Sequence, residues 1–98
     1  MGLKHTREYT QIIDELTKVL ESFVNLQELF QMNLKDWTLL SKDNQLEILS
    51  TLSDDIFYAL GSENEYIIGN QKIKYNEENK SIDIFINEQL KSSISLYI

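Results

Sequence analysis

The hydrophobic period of this chain changes once, near Gly61, and no other feature constrains the fold as tightly. Before that glycine, apolar residues recur every three to four positions, as on an amphipathic helix. After it they alternate, as on a half-buried strand. A chain of 98 residues holds one domain and leaves no room for two. The expected architecture is therefore a single α+β domain over 1–98. Two N-terminal amphipathic helices, the first one long, occupy about residues 6–60. They pack on a C-terminal antiparallel meander of three to four strands over 65–98.

The first helix has the clearest pattern. His5, Tyr9, Ile12, Leu16, Val19, Phe23, Leu26 and Phe30 follow an unbroken heptad spacing, and Ile13 and Leu20 widen the stripe. Thr6 is a candidate N-cap. A helix from Thr6 to Met32 would be about 40 Å long, whereas a globule of this chain length is roughly 33 Å across. Such a helix overhangs its own domain, exposing Tyr9 and Ile12 at one end or Leu26 and Phe30 at the other. The stripe then serves either this chain's own core or an interface with another chain.

A second helix carries Leu46, Leu49, Leu52, Ile56 and Leu60, capped by Asp36 or Asp43 and ended by Gly61 in the left-handed C′ position. Ser53-Asp54-Asp55 is a potential re-start within it. Trp37, with Leu39 and Leu40, sits on the connection, either as a plug between helices and sheet or as an interface anchor.

Past Gly61, the stretch from Tyr66 to Tyr75 reads as a hairpin around Gly69-Asn70, a pair suited to a type II′ turn. Asn76 to Asn79 turn again, Ile82, Ile84 and Ile86 line one face of a strand, and Asn87-Glu88-Gln89 make the next turn. Leu90, Ile94, Leu96 and Ile98 are expected to share the covered face of a last strand. That strand ends at Tyr97-Ile98 with only Lys91 to guard its edge, which either pairs with another strand or is covered by another element.

Composition narrows the chemistry. With no cysteine there is neither a disulfide nor a thiolate metal site, and a cytoplasmic setting is favoured. Lys outnumbers Arg eight to one and Ile and Asn are abundant, a usage typical of AT-rich bacterial or phage coding sequence. The net charge is −7 and Arg7 is the only arginine, so nucleic-acid phosphates and anionic membrane surfaces are disfavoured partners. No signal-peptide pattern opens the chain and no run has the length of a membrane span.

The only histidine, His5, is expected near a frayed terminus. The pairs Asp14-Glu15 and Asp54-Asp55 diverge on their helices, and Glu77-Glu78 reads as a solvated turn. Glycines 2, 61 and 69 build no phosphate loop, and the serines at 92, 93 and 95 have no base in prospect. No catalytic, cofactor-binding or metal-ligating residue is expected. The expected function is that of a small acidic protein–protein interaction module, a regulator or accessory subunit without catalysis. Its candidate interface is Tyr9, Ile12, Leu26, Phe30, Trp37 and Tyr97. The alternatives are a structural homodimer, or an acidic mimic that inhibits a nucleic-acid-binding enzyme.

Overall fold

The computed structural model describes residues 3–23 and 26–98, the side chains at 28 and 29 excepted. Helices come first: α1 (Tyr9–Glu21), a 3₁₀ segment (Leu26–Phe30), α2 (Leu34–Leu39) and α3 (Lys42–Leu60). Four strands follow: β1 (Glu65–Ile68), β2 (Gln71–Asn76), β3 (Ser81–Ile86) and β4 (Gln89–Ser95). They form one antiparallel sheet in the order β1-β2-β3-β4. The fold is α+β, with α1 and α3 packed on each other and over one face of the meander.

The first helix is not long. It spans 13 residues, about 20 Å, and the overhang expected from its heptads does not exist. Helix propensity drops over Ser22, Phe23, Val24 and Asn25. At its end the Ser22 hydroxyl donates to the Val19 carbonyl at 2.6 Å, a local bond that competes with helix continuation. Phe23 and Leu26 are nonetheless buried in this chain's own core. A turn after Glu21 thus satisfies the heptad pattern that a straight helix would have carried past the sheet.

Caps and ends also differ from expectation. Ser41, not an aspartate, caps α3 by accepting from the Asn44 amide, and Asn33 caps α2 by accepting from the Asp36 amide. Asp36 and Asp43 lie in the first turns instead, where their charge suits the helix dipole. Helix α3 runs unbroken through Ser53. That hydroxyl is fully buried, donates to the Leu49 carbonyl, and meets the Thr17 hydroxyl of α1 at 2.9 Å. Gly61 stays right-handed, at φ −71°, and the Ser62 and Glu63 amides close the helix on the Ala59 carbonyl.

In the sheet, Gly69 has φ +59° and closes the two-residue β1–β2 hairpin where the sequence places it. The β3–β4 loop is tighter than expected: Ile86 pairs with Gln89, and Asn87 and Glu88 both have positive φ, as a type I′ turn requires. Ile73, Ile82, Ile84, Ile94 and Leu96 face the helices and are buried.

Leu90 and Ile98 depart from the pattern. Ile84 pairs with Ser92 but Phe85 pairs with Leu90, so Lys91 is an inserted residue and a bulge forms there. One inserted residue reverses the facing of everything beyond it. Leu90 therefore lies beside Phe85 on the open face and is exposed. Ile98 lies past the end of β4 and is fully exposed.

Residues 3–7 are anchored. The Thr6 and Arg7 amides both donate to the Leu96 carbonyl, and the Ile98 amide donates to the Thr6 hydroxyl. Thr6 thus ties the chain ends together instead of capping α1, whose N-cap residue, Glu8, makes no side-chain bond. The strap also covers the last part of the β4 edge.

Candidate functional site

The six residues expected at an interface fall into different places. Ile12 and Leu26 are core residues, 0% and 4% exposed, and offer no surface; the spacing that marked them reflects burial within the chain. Tyr9 sits edge-on to Phe57, with ring centroids 5.1 Å apart, and its hydroxyl donates to Asp54. Burial, the bond to Asp54 and that carboxylate's charge all push the Tyr9 phenol well above its ordinary value. Tyr97 packs half-buried against the core beside the N-terminal strap. Phe30 and Trp37 come together, above a cleft that Leu26 also lines. Their rings stack at 5.8 Å with 14° between the planes.

That stack lies at an unfinished part of the fold. Helix α2 buries none of its residues. Leu34 is 60% exposed and Leu39 74%, and Trp37 is half-buried. Leu39 cannot turn inward together with Leu34 and Trp37, because positions two and five apart on a helix point to different faces. The Trp37 side of α2 closes a cleft of about 350 Å³ against Leu20, Phe23, Leu26, Leu46 and Leu49. Glu21 and Lys42 pair across its rim at 2.9 Å, and the Gln45 amide donates to the Trp37 carbonyl at 2.8 Å. The cleft fixes Trp37 from beneath; Leu34 also lines it while keeping most of its surface open, and Leu39 points into solvent. Sequence reasoning placed Leu39 beside Trp37 but missed Leu34. The available signal was Asn33, an N-cap that starts a helix one residue before it.

A second apolar feature lies on the open face of the sheet. Ile67, Lys72, Phe85 and Leu90 are neighbours across all four strands. The Lys72 ammonium sits 5.1 Å from the centre of the Phe85 ring and 3.6 Å from the Glu65 carboxylate. The next row, Glu65, Lys74, Asp83 and Ser93, is polar. Asp83 is buried there, its carboxylate accepting from Asn76 at 2.9 Å and from Ser81 and Ser93 at 2.8 Å each. Burial by itself raises its pKa, but the three hydrogen bonds and the charge of Lys74 outweigh it and hold Asp83 below the ordinary carboxylate value.

The remaining polar candidates are tied into structure or lie in solvent. His5 is not frayed: it is half-buried between Tyr9 and Phe57, with Nδ1 at 2.9 Å from the Leu3 carbonyl. Glu15 pairs with Arg7, and Glu77 and Glu78 are exposed in the β2–β3 turn. Among the described residues, no three His, Asp or Glu side chains converge as metal ligands, and no helix is long and apolar enough to cross a membrane. No protein-family model, curated protein or solved structure matches this chain.

Proposed function

We propose that this chain is a protein–protein interaction module, a cytoplasmic regulator or accessory subunit that acts by surface binding and catalyses nothing itself. The observation that carries this is α2, which contributes no buried residue to its own fold yet holds Leu34, Trp37 and Leu39 at the surface. Large apolar side chains grouped around a half-fixed tryptophan are the usual composition of an interface anchor. Against a homodimer built on α1 stands the burial of Ile12, Leu16 and Leu20 under this chain's own elements.

The test is a quantitative capture comparing wild type with the Leu34→Glu/Leu39→Glu double variant. Both positions are exposed, so circular dichroism is expected to stay at wild type. Proteins retained by wild type should be lost from the double variant and kept by Ile67→Glu on the open sheet face. Retention by all three proteins would refute the proposal.

A further inference from the structure

Phe30, whose ring stacks on Trp37, is also a wall of a second groove. This one runs along α3, measures about 430 Å³, and is lined by Phe30, Ile48, Thr51 and Leu52 with Glu47 and Asp55. Its apolar floor is ordinary for a small domain; the charge beside it is not. At about 100° per residue, Asp43, Glu47, Thr51, Asp54, Asp55 and Tyr58 fall within one arc of roughly 120° of the helix. All six are exposed, Tyr58 at 63%.

Among the described residues, this face makes no salt bridge. Lys42, the basic residue of α3, points away and pairs with Glu21; Arg7 pairs with Glu15 and Lys72 with Glu65. Among the described residues, no lysine or arginine pairs with Asp43, Glu47, Asp54 or Asp55. Elsewhere, the carboxylates of Glu15, Glu21 and Glu65 each pair with a basic side chain. Those on α3 flank an open apolar groove and an exposed tyrosine.

We infer that this groove takes a cationic amphipathic helix of a partner protein. The inference rests on the interaction-module proposal and names the chemistry of the partner. Apolar residues of the incoming helix lie on Phe30, Ile48 and Leu52, and its lysines or arginines meet Glu47 and Asp55. Those two carboxylates are eight residues apart, roughly 12 Å along α3. An adjacent, nearly parallel helix matches that distance with basic residues seven or eight positions apart, flanking one apolar stripe.

The probe is a synthetic Leu/Lys peptide of about 18 residues, long enough for five turns, with leucines at helical spacing and lysines along both flanks. A second peptide carries Glu at every Lys position. Binding is followed by amide shifts in NMR spectra and by fluorescence of Trp37, the only tryptophan. The Lys peptide should bind with shifts confined to Phe30 and to positions 47–58, and should weaken at higher salt. The Glu peptide should not bind.

Glu47→Lys/Asp55→Lys should weaken the Lys peptide at least about tenfold. Glu77→Lys/Glu78→Lys changes the net charge by the same amount at a distant turn, and should weaken it less than about twofold. Equal weakening by the two double variants, or equal binding of the two peptides, would mean attraction to net charge alone and overturns the inference. If Leu34→Glu/Leu39→Glu abolishes capture while Glu47→Lys/Asp55→Lys changes neither capture nor peptide binding, the module proposal stands and the helix site does not.

Discussion

Asp83 is the residue at which a single ionisation bears most directly on stability. Its carboxylate is buried on the open sheet face and collects three side-chain hydrogen bonds. Its pKa is held below the ordinary value of about 4 that it regains on unfolding. A carboxylate depressed in the folded state contributes stability above its unfolded pKa and loses it as pH falls through the folded one. Asp83→Asn should therefore cost about 1–2 kcal/mol at neutral pH and flatten the decline of melting temperature below about pH 4. Parallel curves for variant and wild type between neutral and acid pH would show that another group governs acid unfolding. Glu88 offers a change of opposite sign. Its φ of +67° is a left-handed conformation that costs a side chain and not glycine. Glu88→Gly should stabilise by about 0.5–1 kcal/mol, after the entropy glycine adds to the unfolded chain, and raise Tm by roughly 3–6 °C.

At the scale of elements, β4 is held by Ile94, by Leu96 just past its end, and by the phase of its ladder. Leu96 is fully buried and its carbonyl receives the N-terminal strap, whereas Ile98 touches no core. Leu96→Ala should cost about 3 kcal/mol, and Ile98→Ser less than about 0.5 kcal/mol. Removal of Ser95–Ile98 should lower Tm by more than about 8 °C, through Leu96 and the strap. The Leu96 amide bonds to the Lys80 carbonyl, which places the Asp83–Ser93 pair in the non-hydrogen-bonded phase and turns the Ser93 amide outward. Ser93→Pro should then lose little beyond the hydroxyl bond to Asp83, about 1 kcal/mol, while Ser92→Pro should unfold the edge. Thermal melts of the two proline variants decide this, and equal losses would contradict the assigned phase. These details mark where the sequence is legible. The turn at Gly69-Asn70, the approximate place of the last turn and the end of α3 near Gly61 follow from local spacing and turn chemistry and are legible directly, whereas the start of α3 and its continuity through Ser53 are not. The bulge at Lys91 adds one residue that no alternation reveals, and Leu90 was placed on the wrong face. The end of α1 is a matter of packing: heptads look the same whether they bury against their own chain or another. For that reason Ile12 and Leu26 looked like interface residues, while Leu34, in a helix too short to show a period, did not.

The whole molecule measures 40 × 28 × 21 Å, with a radius of gyration of 13.3 Å. Among the described residues the exposed large apolar side chains are dispersed: Tyr9 on α1, Leu34 and Leu39 on α2, Tyr58 on α3, Ile67 and Leu90 on the open sheet face, and Ile98 past β4. A stable dimer needs about 800 Å² of continuous contact from each partner, and no one of these places gathers more than a few such residues. Charge acts in the same direction. At −7 two copies repel at neutral pH, and the repulsion vanishes only near the isoelectric point of about 4.5. The protein should therefore sediment at pH 7 as a monomer near 11.5 kDa, independent of micromolar concentration. Its scattering radius should exceed 13.3 Å only by a hydration layer. Lowering the pH toward 4.5 should bring self-association and loss of solubility, and added salt at pH 7 should move it only slightly in that direction. A dimer mass at pH 7 that resists dilution would require a continuous apolar contact between copies. It would favour the structural homodimer over a module that keeps its apolar surface for another protein.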